Sequence, residues 1–351
     1  MINSLIRFWW ISLMLVFSWN VYSQGDKYTL LTEPFIERPV SMHKGQLQFN
    51  SAYQISISGG YFEDNLEKTN LQEDGAAVIG HKSFLNLNYG LFEYLELGAE
   101  MNYFKQGIRN TTLYYLDIYE TVTITELTEN KGFEDLILSG TFRLPNNWKV
   151  FDMALSAYYL LPVSKDVPDK PEHSIESIVN ESQYTIISLK ETIRNGQGVP
   201  SYGLGSEFKL RFSNFAISGA GSFMVPTKEG LNLYWDQEIV DEEFIYEEIE
   251  YSFMPMSRLN ANLNIHYQPN GWFHLFGGLN MISRRNGWFE RKELKYAYPE
   301  VMFYDFTTGF EIQIAPRIRM IEIMKFPLGG QNSYSSFSIF TGVSFNLFTG
   351  K

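Results

Sequence analysis

Cysteine is absent from all 351 residues. For a chain that leaves the reducing cytosol this excludes a small disulfide-stapled domain. Beyond the first two dozen positions no run approaches the ~18 consecutive apolar residues of a spanning helix, so helical membrane crossings are excluded as well. Basic residues are in deficit: 28 Lys and Arg against 40 Asp and Glu leave a net charge of −12. Nucleic acid is therefore no partner, because phosphate binding needs clustered cations. Catalytic signatures are missing too. There is no G-x-S-x-G, no H-E-x-x-H, no P-loop and no EF-hand spacing. The histidines His43, His81, His173, His266 and His274 show no spacing that couples one of them to a serine or gathers them around a metal. The expectation is a protein that is not an enzyme, with no cofactor and no metal centre.

Aromatic residues are plentiful: 28 Phe, 22 Tyr and 7 Trp, in a chain whose mean hydropathy is only −0.19. At the amino terminus Arg7 precedes the apolar stretch Phe8 to Phe17, followed by Asn20-Val21-Tyr22-Ser23. A basic start, an apolar segment of roughly 10 residues and short side chains after it predict a secretory signal peptide over 1–23, cleaved after Ser23. Residues 24–44 are then an N-terminal periplasmic segment and 45–351 one domain.

Within that domain the dominant pattern is alternation. In YGLFEYLELGAEM (Tyr89–Met101), Leu95, Leu97, Ala99 and Met101 alternate with Glu96, Gly98 and Glu100. A period of two is a strand with one apolar and one polar face. The same signal predicts twelve strands, near 45–59, 79–91, 94–106, 132–144, 148–161, 202–213, 215–226, 254–268, 272–284, 302–314, 317–327 and 336–348. Short connections at Phe92-Glu93, Pro145-Asn147, Ser213-Asn214, Gln268-Gly271 and Ala315-Pro316 alternate with long ones near 60–78, 107–131, 162–201, 227–253, 285–301 and 328–335. An even strand number, short turns on one side and long loops on the other describe an all-β transmembrane antiparallel barrel, with short periplasmic turns and long extracellular loops. Closure leaves no unpaired edge in lipid.

In a barrel the apolar face meets lipid, so the polar set points inward. That reasoning assigns Glu96, Glu100, Asp135, Arg143, Asp152, Glu207, Lys209, Arg211, Arg258, His266, Asp305 and Glu311 to the lumen, and His274 to the same parity. Two readings of these charges stand open: cross-lumen pairs that stiffen the wall, or an eyelet that orients a passing solute. Tyr89, Tyr94, Tyr158, Tyr159, Tyr202, Tyr267 and Trp272 suit the aromatic girdles at the two interfaces. The loop Trp235–Glu250 holds Asp236, Glu238, Asp241, Glu242 and Glu243 with no basic residue. It reads either as a solvated strand-like extension or as a divalent-cation site shared with lipopolysaccharide. The partly apolar Tyr184–Leu189 is expected to fold into the lumen or onto its rim.

Three stretches in order carry a resemblance: Thr32-Glu33-Pro34-Phe35-Ile36-Glu37-Arg38-Pro39 with Gly45-Gln46-Leu47-Gln48-Phe49, then Tyr89–Met101, then KGFEDLILSGTFRL from Lys131 to Leu144. Together they resemble the outer-membrane transporter-like family named for the meta pathway of phenol degradation. The resemblance implies a signal peptide, a Gram-negative outer-membrane barrel and passage of small, often aromatic, hydrophobic solutes. The reading is a channel for passive passage of small solutes, in contact with outer-membrane lipid and lipopolysaccharide. The alternative is a closed structural or adhesion barrel whose acidic loops bind a partner. Oligomeric state has no sequence signal.

Overall fold

A strand that is apolar on one face and polar on the other must bury one face and satisfy both hydrogen-bonding edges. The chain does both by closing one sheet on itself. A computed structural model describes residues 40, 42–63, 67–70, 77–117, 120–145, 150–163, 183–188, 198–240, 243–291, 294–315 and 317–348; the side chains of 69–70, 77, 106–117, 120–130, 183–188, 231–240, 243–251 and 291 lie outside that description. All belong to the unit Glu33–Lys351.

The wall has twelve antiparallel strands: β1 (Gln46–Phe62), β2 (Ala77–Phe92), β3 (Leu95–Asp117), β4 (Leu136–Arg143), β5 (Phe151–Leu161), β6 (Ser201–Phe212), β7 (Phe215–Pro226), β8 (Ser257–Asn270), β9 (Phe273–Arg285), β10 (Val301–Ala315), β11 (Ile318–Gln331) and β12 (Ser333–Phe348). Each pairs with the next, and β12 returns to β1 from Gln46↔Phe348 to Phe62↔Ser333, which closes the ring. The twelve expected strands are these twelve.

Burial is inverted relative to a water-soluble domain. Leu204 is 72% exposed and Ile265 60%, while Asp305 is 2% and His274 4%. Exposed apolar side chains belong on a surface that meets hydrocarbon, and buried polar ones around a polar interior. Glu322 and Tyr53 are among the outward positions that depart from the pattern. Glu322 on β11 lies opposite Thr341 of β12, whose hydroxyl donates to Glu322 Oε2 at 2.8 Å. Tyr53 on β1 lies opposite Thr341 and bonds His81 Nδ1 at 2.7 Å.

At the short-turn end, Ser213 adopts φ 52 in the two-residue link Ser213-Asn214, the left-handed twist that tight hairpins need. In the link between β8 and β9, Asn270 Oδ1 accepts the N–H groups of Trp272 and Phe273 at 3.2 and 2.9 Å. At the other end one expectation is corrected. Residues 328–335 are not a long loop: β11 runs to Gln331 and β12 begins at Ser333, with Asn332 alone between them at φ 48. Asparagine tolerates that conformation, and its side-chain amide donates to the Glu300 carbonyl at 2.9 Å.

The remaining connections form strands of their own. β3 continues into a hairpin with Glu120–Phe133, from Tyr103↔Phe133 to Asp117↔Glu120, past the last pair with β2 at Ala77↔Arg109. Residues 183–188 pair in parallel with 121–126 of that extension, so the apolar stretch expected in the lumen or on its rim joins a sheet beyond the wall pairs of β2 and β3. Gly230–Val240 and Glu243–Met254 form the acidic hairpin, which pairs on through Trp288–Arg291 to Leu294–Ala297.

Candidate functional site

The candidate site is the lumen, which the strand registers divide into levels. Nearest the short-turn end, residues 40 and 42–45 lie along the inner wall. The Val40 N–H donates to Asp152 Oδ2 at 3.0 Å, and the Met42 N–H to Glu96 Oε2 at 2.7 Å. The Gly45 N–H donates to the Gly90 carbonyl at 2.7 Å. Gly90 is required there, because a Cβ would stand 2.7 Å from the His43 carbonyl carbon. Of the segment 24–44, only 40 and 42–44 are described, and they lie against Glu96 and Asp152 of the wall.

Asp152 also accepts from Arg211 Nη2 at 3.1 Å, a pair with side chains only 9% and 16% exposed. Lys209 is cross-strand to Asp152, and Glu207 feels the charges of Glu96, Lys209 and Asp152. On the facing arc Glu311 approaches Arg319 Nε at 3.8 Å and lies cross-strand to His274. His274 Nε2 is 2.9 Å from His266 Nδ1, and His266 Nε2 is 2.7 Å from Ser218 Oγ. Sequence spacing offered no serine for a histidine; the register of β7 on β8 places Ser218 beside Asn264, one inward step from His266. The chain Ser218–His266–His274 can hand a proton along itself. The strand N–H groups around Ser218 are held in ladders with β6 and β8, so no pair of backbone donors converges as an oxyanion hole would need.

The middle level is lined by amides. Asn50 Nδ2 donates to Asn86 Oδ1 at 2.9 Å, and Gln48 Nε2 to Asn346 Oδ1 and Ser344 Oγ at 3.0 Å each. Asp305, buried on β10, accepts from Asn280 at 2.7 Å and Thr307 at 2.8 Å. Glu100 Oε1 accepts from Asn102 at 3.0 Å. At the short-turn end, where β4 finishes, Arg143 lies over the Tyr94 ring with its guanidinium carbon 5.3 Å from the centroid. Tyr158 is corrected from the girdle to the interior. It shares the inward parity of Asp152 and Ser156, and its ring fills the space beside Gly205 where a Cβ would sit. Tyr202 is exposed on the outside, as is Tyr267, which stacks on Phe215 at 4.7 Å, while Trp272 is exposed in the turn between β8 and β9.

Toward the long-loop end, Lys82 Nζ meets Glu134 Oε2 at 2.7 Å, and Glu134 also accepts from Asn102 at 3.1 Å. Asp135, 3% exposed, accepts the N–H groups of Val163 at 3.3 Å and Gly198 at 3.1 Å. Arg258 of β8 is paired in register with Arg284 of β9. Lys82, Glu134, Arg284 and Arg319 were missed from sequence, although Lys82 and Arg284 sit at polar positions of their strands' alternation.

Of the acidic hairpin, Asp241 and Glu242 lie outside the described residues, as do the side chains of Asp236, Glu238 and Glu243. The described backbone is a regular ladder with Asp236↔Glu247 and Glu238↔Ile245. Among the described residues no group of three His, Cys, Asp or Glu could hold a metal ion.

No family model matches the chain, and no curated protein sequence does. Among solved structures, a COG4313 outer-membrane channel from Pseudomonas putida F1 superposes with a TM-score of 0.57 at 11% identity, covering 93% of this chain and 100% of that one. The TodX deltaS2S3 mutant monoaromatic hydrocarbon channel gives 0.46 at 11% identity over 93% and 95%, and the Ralstonia pickettii toluene transporter TbuX gives 0.40 at 9% over 88% and 90%. The first likeness, at this identity, is one of fold: this chain has the fold of an outer-membrane β-barrel.

Proposed function

We propose that the protein is a channel of the Gram-negative outer membrane through which small solutes pass passively, exported by a cleaved signal peptide and seated among outer-membrane lipid and lipopolysaccharide. The observation that supports it best is the inverted burial. Apolar side chains cover the outside of a closed ring, and amides and charges line the inside. A twelve-stranded ring is wider than the eight-stranded kind whose interior side chains fill, and narrower than sixteen-stranded porins. Residues 40 and 42–45 and the charges around Asp152 then form a constriction near the short-turn end. Hydrophobic or aromatic solutes, which the family resemblance implies, are part of the reading.

The test is single-channel conductance of the refolded chain in a planar bilayer at two salt concentrations. Discrete steps with ion selectivity are expected. Protein shown to be inserted yet passing no current would refute a channel, and would make the acidic hairpin 227–253 the surface to probe for a binding partner.

A further inference from the structure

Most of the described lumen cations have an anionic neighbour or an aromatic ring, and Lys325 lies cross-strand to Thr307 and Ser338. Arg211 has Asp152, Lys82 has Glu134, and Arg319 has Glu311. Lys209 lies cross-strand to Asp152. Arg143 rests on an aromatic ring. Arg258 and Arg284 are different. They are directly opposite each other on β8 and β9, both with inward parity. Like charges placed directly opposite repel. Their other cross-strand neighbours are Met224 on β7 and Val301 on β10, neither of them an acid. Among the described residues no carboxylate lies within 4.0 Å of either guanidinium. Arg285, one residue on and of opposite parity, does have one in Glu300 at 3.4 Å.

Carboxylates do act on the pair from the opposite wall. Glu134 and Asp135 are the acids whose charge reaches Arg258, and Glu134 reaches Arg284. Both are already committed. Glu134 holds Lys82 and Asn102, and Asp135 holds two backbone N–H groups. Two guanidiniums therefore share one inward level, opposite carboxylates whose oxygens already accept from Lys82, Asn102 and backbone N–H groups. Two guanidiniums at one register position can both donate N–H bonds to a single oxyanion, a task for which arginine's planar fork is the preferred group.

We infer that Arg258 and Arg284 together form a binding site for small oxyanions, carboxylates or phosphates, at the long-loop mouth of the lumen. The site rests on the channel reading only for its purpose, which is to favour solutes that carry a carboxylate or phosphate, aromatic ones included. The net charge of −12 does not oppose this. At physiological salt the Debye length is about 8 Å, so distant surface acids are screened while a bound anion in contact with both forks is not.

The test uses inorganic phosphate and the full chain. Calorimetric titration of the detergent-solubilised protein should show one phosphate bound, weakened roughly tenfold to a hundredfold in Arg258→Gln/Arg284→Gln. In a bilayer the same variant should shift the reversal potential in a KCl gradient toward cations. Should that variant fail to fold, judged by loss of its heat-modifiable gel shift, Arg258→Lys/Arg284→Lys keeps the charge and removes the forks. It should bind phosphate more weakly than the native chain. Phosphate that does not bind the native chain, or binds it and a folded variant equally, overturns the site. Current with unchanged selectivity overturns it as well, and leaves the channel standing. Bound phosphate lost in the variant, with no current from either protein, upholds the site and refutes the channel.

Discussion

Replacing Asp152 by Asn tests whether the N-terminal segment is held to the wall by charge. One oxygen, Oδ2, accepts both the Val40 N–H and Arg211 Nη2. Asn keeps an oxygen of similar shape but removes the charge, so each bond falls from the charge-assisted class to the neutral one, a loss of about 1 kcal/mol apiece. Arg211 also loses its pairing with the carboxylate, in a site where Asp152 is 9% exposed. Breaking a fully buried pair costs about 3–5 kcal/mol, and water in the lumen reduces that to roughly 2. Only the Val40 share, about 1 kcal/mol, bears on the segment, and it corresponds to a roughly fivefold rise in the detached population. Glu96→Gln removes the matching charge from the Met42 bond and should act similarly, so the double variant should detach about thirtyfold more often. Hydrogen exchange read by mass spectrometry over residues 40–45, in protein reconstituted into liposomes, measures this directly. Glu100→Gln is the control, because Glu100 bonds Asn102 and not the segment. Exchange that stays at the native rate in the double variant would show that the segment is held by something other than these two carboxylates.

Two further outcomes follow from the same wall. Gly90→Ala puts a Cβ against the His43 carbonyl and should give the exchange signature of the double variant with every charge intact, because the obstacle is backbone that cannot swing aside. Native exchange in that variant would mean the close approach is dispensable. Glu322→Leu removes a carboxylate from the outer face, about four residues, or roughly 10 Å, above the start of β11. A charge on the lipid face costs about 1–2 kcal/mol there, and the lost bond to Thr341 returns only part of that. The urea midpoint in lipid vesicles should therefore rise by the equivalent of about 1 kcal/mol, and a fall would place Glu322 against something other than hydrocarbon.

Strand existence was legible because it is local. Side chains two apart share a face whatever the chain does later, so the alternation at Leu95, Leu97 and Ala99, or at Leu259, Ala261 and Leu263, already states which face is apolar. Parity failed to be legible on β11. There Ile321 and Ile323 stand on one face and Met320 and Met324 on the other, so hydrophobicity could not say that Glu322 points out. Asn332 was hidden for another reason: Phe326-Pro327-Leu328-Gly329-Gly330 looks like a turn, yet the strand continues through it with the register shifted between Tyr304 and Asp305.

By itself, the order of residues determined the twelve strands, their two faces and a polar interior, because each is set by neighbours one or two positions away. Only the tertiary structure decided which inward groups meet. Val40 reaches Asp152 across 112 positions, Ser218 reaches His266 across 48, and Arg258 stands beside Arg284 rather than beside an acid. Those meetings depend on register and on closure of the ring. A shift of one residue between two strands would leave the local pattern of each unchanged while reversing which face of one meets the lumen.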